Sequence, residues 1–285
     1  MKSLKVSFVF CLLLGCFSTY TEALTPPRHV VVIIFENKEY SAIIGNSNAP
    51  YINSLANNYA LATQYYAKHH PSLPNYLEFV AGSNMGVTDD KEGHVLSGQF
   101  VGRQLSDSGY SSALYAESLP KWETSQRPCK YTSQDMYVKR HNPFAFWDWV
   151  EGLNGVSSHC GMVKPLGAFQ PDNLKGLSVI IPNVCNDMHN CSISTGDKWL
   201  KNQLPAILNH MHSGDFVAVT WDEGSTNQYG GGHVATIFAG PGAKKHFKDG
   251  HFYTTDSLLR TVENIFRVPC LRNACNVSGM ANMLQ

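Results

Sequence analysis

The sequence predicts an α/β sandwich around a mostly parallel central sheet, and three observations carry the prediction. Short unbroken apolar runs rich in β-branched residues, Val30–Phe35 first among them, read as strands covered on both faces. Segments with apolar residues at helical spacing separate those runs, so strands and helices alternate. At 285 residues the chain can build one large core without a second domain.

The elements follow in chain order. Lys2 and Lys5 precede an apolar stretch over residues 6–17, and Thr21-Glu22-Ala23 closes it. This reads as a secretory signal peptide over residues 1–23, too short for a membrane span. Leu13-Leu14-Gly15-Cys16 also resembles a bacterial lipobox, so anchoring through a lipidated Cys16 or an uncleaved anchor stands beside simple export. Residues 24–285 then form a single secreted or periplasmic domain. After the first strand, residues 50–62 read as a helix with Pro50 in its first turn, and 73–80 as a second with Pro74 placed likewise. Residues 102–108 are helical up to the stop at Gly109, and Ser112–Ala116 is a strand. Residues 118–170 are aromatic and irregular, an insertion or lid within the domain. Regularity returns with a strand at Leu177–Ile181, a helix at 197–211, and strands at 216–220 and 235–239. A closing helix carries Leu258, Leu259, Val262, Ile265 and Phe266 on one face, with Asp256 as its expected cap.

Charge is balanced, 22 basic against 22 acidic residues, and no Lys/Arg run appears, which excludes a nucleic-acid partner held by phosphate neutralisation. Six cysteines lie beyond the leader. An even number in an exported chain reads as disulfides, and proximity favours Cys185 with Cys191 and Cys270 with Cys275, leaving Cys129 for Cys160. A zinc site is the competing reading, although no CxxC pair exists.

Four polar clusters adjoin strand ends and helix starts, where open α/β sheets bind ligands. Glu36-Asn37 closes the first strand and supplies oxygen ligands with no packing role. His70-Pro71-Ser72-Leu73-Pro74-Asn75-Tyr76 puts Ser72 at a helix start, where backbone N–H groups and the helix dipole favour an alkoxide and a phosphate. The competing reading of Ser72 is an ordinary N-cap. Pro182-Asn183 through Asp187-Met188-His189 follows another strand, and Asp187 and His189 can reach one centre. Asp222-Glu223 ends the strand at 216–220 and repeats the logic of Glu36, while Gly230-Gly231-Gly232-His233 offers an imidazole on a permissive backbone. Carboxylates that hold a divalent cation, a serine made nucleophilic beside it and a histidine near the leaving oxygen together describe phosphoryl transfer. No P-loop and no GxSxG elbow is present.

These motifs in this order resemble the phosphoesterase family that contains bacterial phospholipases C and acid phosphatases, within the alkaline-phosphatase-like superfamily. The stretch from Ile43-Ile44-Gly45-Asn46 through Pro50-Tyr51-Ile52-Asn53 is similar to the small secreted SapM-type acid phosphatases. The resemblance implies a three-layer α/β/α sandwich and a secreted, metal-dependent acid phosphatase of broad or phosphoinositide preference that works through a phosphoserine. It implies Ser72 as nucleophile, Glu36, Asn37, Asp222 and Glu223 as ligands of a divalent metal cation, and one cation rather than two. Asp187 and His189 complete the phosphate site, with His189 as general acid, and Asn75, His70 and His233 contact substrate. The chain departs from many relatives in carrying Thr255-Asp256 ahead of Ser257-Leu258-Leu259-Arg260-Thr261, with His251 upstream as a replacement. A phospholipase C-type phosphodiesterase using the same residues, and a non-catalytic metal- or glycan-binding exported protein, are the alternatives. The expected partners are a small phosphoester or a phospholipid headgroup, with no stable membrane span.

Overall fold

The structure is a computed structural model and describes residues 29–120, 129, 131–152 and 159–285. The expected leader, with Cys16, lies outside the described residues. In chain order the elements are β1 (Val30–Phe35), α1 (Tyr40–Ile43), α2 (Pro50–Asn58), β2 (Ala60–Ala62), β3 (Tyr65–Tyr66), α3 (Ser72–Ala81), α4 (Val101–Asp107) and β4 (Ser112–Ala116). There follow α5 (Asp148–Glu151), β5 (Val163–Pro165), β6 (Leu177–Ile181), α6 (Ile193–Asn209), β7 (Phe216–Trp221), β8 (Thr236–Ala239), β9 (Phe247–Asp249), β10 (Tyr253–Thr254) and α7 (Thr255–Phe266).

Eight strands form one sheet in the order β5-β4-β6-β1-β7-β8-β2-β9, and β10 pairs with β3 in a small second sheet. From β5 through β7 every pairing is parallel, and β8 runs antiparallel to both β7 and β2. All six residues of β1 and of β7 are buried, as their unbroken apolar sequences require of strands with layers on both faces. The registers Val30↔Phe216 and Phe35↔Trp221 align the ends of β1 and β7, so Glu36 and Asp222 emerge side by side at the carboxyl edge.

The helix expected over 50–62 stops at Asn58, and Ala60–Ala62 turns into the strand β2. Ala60, Leu61 and Ala62 are all buried, and pairing with β8 and β9 outweighs the helical preference of alanine and leucine. The irregular stretch 118–170 supplies the edge strand β5, while Phe144, Phe146 and Trp147 from the same stretch are fully buried. Asp256 is not the cap of α7. Thr254 is the N-cap, in a reciprocal capping box with Ser257, and the Asp256 carboxylate instead pairs with Lys68 Nζ at 2.7 Å. The disulfides are Cys129–Cys160, Cys185–Cys191 and Cys270–Cys275. Among the described residues no helix is long and apolar enough to cross a membrane.

Candidate active site

Three parallel strands deliver the site. Glu36 directly follows β1 and Asp222 directly follows β7, while the loop after β6 brings Asp187, whose carbonyl accepts the Glu36 N–H at 2.9 Å. The Asp222 N–H donates to Phe35 O at 3.0 Å, extending the ladder one residue beyond the strand. A fourth element, α3, points its first residue at this edge. Its N-cap is Pro71, so the Ser72 hydroxyl does no capping. Ser72 Oγ donates instead to Glu36 Oε2 at 2.9 Å and lies 3.4 Å from Glu223 Oε1.

Glu36 occupies the centre. Its side chain is completely buried, Oε2 takes the Ser72 hydroxyl, and Oε1 takes the Tyr76 hydroxyl one turn along α3. Asp222 Oδ1 accepts the backbone N–H of Asn37 at 3.1 Å, and the Asn37 side-chain oxygen accepts from Lys38 Nζ at 3.3 Å. Glu223 Oε2 faces His70 Nδ1 at 2.5 Å, and His70 Nε2–H donates to Thr226 O at 2.9 Å. His70 therefore orients Glu223 and fastens the loop that carries it.

So many acids in one buried place repel one another. Burial, followed by the charges of Asp222 and Asp187, pushes the Glu36 carboxyl well above its ordinary range. Burial and then Glu223 raise Asp222, and burial pushes Asp187 up to about 7. Asp222 Oδ2 and Asp187 Oδ2 are buried without a hydrogen-bond partner. A divalent cation fits this donor set, because it would neutralise the cluster and occupy the orphaned oxygens. Oxygen-rich ligands suit calcium, magnesium or manganese.

Two acidic-cluster neighbours were missed from sequence, His141 and Asp90. His141 lies 1% exposed between the acids, Nε2 3.2 Å from Glu36 Oε1 and Nδ1 3.3 Å from Asp187 Oδ2. Neither contact has hydrogen-bond geometry, so both ring nitrogens are orphans, and Glu36, His141 and Asp187 together could hold an ion. Burial, then Arg140 and His189, hold the imidazole well below its ordinary range and keep it neutral, the ligand-competent form. Asp90 accepts the Leu73 N–H at the start of α3 at 2.9 Å and lies 3.6 Å from Arg140 Nε. His141 and Arg140 sit in a single short 3-10 turn and Asp90 in irregular chain, with no periodicity to announce them.

The remaining expected residues divide. His189 flanks the cluster: its ring centre is 5.8 Å from that of His141, its N–H donates to Asp187 Oδ1 at 2.7 Å, and Nδ1 contacts Asn190 Oδ1 at 2.6 Å. Asn75 is used up internally, its Oδ1 accepting from Lys68 N and His69 N and its Nδ2 donating to His69 O. It shapes the turn before Ser72. The structure does not bring His233 to Ser72. Its ring is stacked between Tyr40 and Tyr66, and Nε2–H donates to Thr63 O at 3.0 Å. The glycines beside it matter for packing, since a Cβ at Gly230 would meet Lys68 O at 2.2 Å where the loop lies against the chain leading to Ser72. His251 pairs with Asp249 at 2.5 Å and makes no contact with the acids of the site.

Comparison with known proteins bears on the family and the fold. The model of the phosphoesterase family matches residues 45–269. A phosphatidylinositol-3-phosphatase of Mycobacterium tuberculosis is 37% identical over 275 residues, spanning 92% of this chain and 84% of its own. An acid phosphatase of Aspergillus fumigatus is 27% identical over 83% of this chain, which spans 54% of the fungal protein. Among solved structures, an alkaline phosphatase superfamily protein of Vibrio parahaemolyticus superposes with a TM-score of 0.56 at 10% identity, over 87% of this chain and 70% of that one, a likeness of fold.

Proposed function

Because the chain belongs to the phosphoesterase family, we propose that it is a phosphomonoesterase, an exported, metal-dependent acid phosphatase acting through a phosphoserine. The observation that carries this reading is the Ser72 hydroxyl, freed from capping at the start of α3 and aimed at the carboxylate cluster. Ser72 Oγ attacks phosphorus, its proton passing toward Glu36 Oε2, and the new Oγ–P bond forms as the bond to the leaving oxygen breaks. The leaving alkoxide takes a proton from His189. Water then attacks phosphorus and gives its proton to the His189 imidazole, the Oγ–P bond breaks, phosphate departs, and Glu36 returns the proton to Ser72 Oγ. The helix start favours the charge that develops on phosphorus.

Glu36, Asn37, Asp222 and Glu223 would hold the divalent cation, which supplies Lewis-acid stabilisation of phosphoryl oxygens and of the serine alkoxide. His141 and Asp187 reach the same Glu36 carboxylate and could add donors to that cation. The named activities of the two relatives support a monoester substrate, with phosphoinositides or small phosphoesters as the class.

The test is a phosphoester panel across pH and added divalent cations, run on wild type and Ser72→Ala. We expect the variant to keep its circular dichroism and melting profile and to lose turnover of an aryl phosphate by at least about 10³-fold. Substantial retained activity would remove Ser72 from the mechanism. Preference for a phosphorylcholine diester over the aryl monoester would make the enzyme a phospholipase C-type diesterase instead.

A further inference from the structure

We propose that the opposite, amino edge of the sheet carries a second metal site, formed by His29, His212 and Asp215 and suited to zinc or a similar transition-metal ion. His29 immediately precedes β1 and Asp215 immediately precedes β7, and these strands are six-residue parallel neighbours in register. The cluster therefore lies roughly 20 Å from Glu36 and Asp222, at the rise of about 3.3 Å per strand residue. His212 comes from the turn after α6, where the Asp215 N–H donates back to His212 O at 3.0 Å.

The carboxylate is held in place before any ion arrives. Asp215 is 2% exposed, its Oδ1 accepts the His29 N–H at 2.7 Å, and its Oδ2 accepts the His212 N–H at 2.8 Å. Both imidazoles then turn Nδ1 toward the same Oδ2, His29 at 3.2 Å and His212 at 3.7 Å. The second distance is too long for a hydrogen bond. Both bracket the edge of a tetrahedron around zinc, about 3.3 Å for ligand bonds near 2.0 Å. The ligand atoms of all three residues lie within 4.8 Å of one another.

Two imidazoles and one carboxylate select a borderline transition metal over calcium or magnesium, which prefer an all-oxygen shell. His212 is 78% exposed and His29 28% exposed, so an ion can enter from solvent and complete its shell with water. Bound there, zinc would clip the start of β1 to the turn between α6 and β7, which makes this a structural site independent of turnover.

The test is calorimetric titration of Zn²⁺ into chelator-stripped protein. Wild type is compared with His29→Gln/His212→Gln and with Glu36→Gln/Asp222→Asn. The histidine variant keeps every backbone hydrogen bond to Asp215. We expect it to bind one Zn²⁺ fewer than wild type, or to bind that ion at least tenfold more weakly, with aryl phosphatase activity unchanged. The carboxylate variant should retain the ion and, loaded with Co²⁺, show the strong visible absorption of a tetrahedral site. The same zinc stoichiometry and affinity in wild type and the histidine variant would overturn the proposal. So would a carboxylate variant that binds neither Zn²⁺ nor Co²⁺.

Discussion

Asp222→Asn should make the metal-free protein more stable while disabling it. Asp222 is 5% exposed, its Oδ1 accepts the Asn37 N–H, and its Oδ2 is buried without a partner. Asparagine keeps the first contact through its own oxygen. Its Nδ2 would sit where Oδ2 now sits, a donor among carboxylates instead of a like charge. A buried polar atom left unpaired costs about 1–3 kcal/mol, so relieving it and the repulsion from Glu36 and Glu223 should return about 2 kcal/mol. For a domain of this size that corresponds to a rise of roughly 4–8 °C in Tm. The assay is thermal unfolding at pH 7 in chelator and again with saturating Mg²⁺, Mn²⁺ or Ca²⁺. Wild type should gain about 3 kcal/mol from a cation present at a hundred times its Kd, whereas the variant should shift little. Turnover should fall about 10³-fold, for the loss of several kcal/mol of charge stabilisation. A variant that melts below wild type in chelator, or that gains as much from the cation, would show that Asp222 is a structural carboxylate and not a ligand.

The same acids set a pH dependence in the metal-free protein. Asp187 is pushed up to about 7 by burial, so between about pH 4 and pH 7 the folded state holds more protons than the unfolded one, and stability falls as pH rises through that window. Denaturant midpoints in chelator should therefore be higher at pH 5 than at pH 8; the cation should reduce this slope without removing it, because Asp256 and Glu263 are also pushed up to about 7 by burial. His141→Gln should lower turnover by about 10²-fold or more at unchanged secondary structure, since the imidazole faces both Glu36 and Asp187; activity near wild type would make His141 a packing residue. His233→Phe should keep activity within about twofold and cost about 1 kcal/mol in urea unfolding, because it loses one hydrogen bond and keeps the stack between Tyr40 and Tyr66; a collapse in turnover would return His233 to the site.

What could be read from sequence, and what could not, divides along a physical line. Glu36, Asp222 and Ser72 were legible because each interrupts a regular pattern at its end, where a strand or helix direction fixes the side chain's destination. Parallel pairing of β1 with β7 then forces Glu36 and Asp222 together with no further information. Asp187 follows by the same rule, through the loop after β6. The place of His233 was not legible, because a Gly-rich loop leaves direction open; the ring lies between Tyr40 and Tyr66. His141 was illegible for the complementary reason. It sits in a short 3-10 turn, Lys139–His141, within an aromatic stretch that looked like a lid, and only the burial of Phe144, Phe146 and Trp147 drives that turn inward beneath the site. An orphaned neutral imidazole between two raised carboxylates is costly for folding. The fold places it at the edge where three strands and a helix start already converge, so its cost falls where Glu36 and Asp187 meet, and the His141→Gln assay separates a part in turnover from a part in packing.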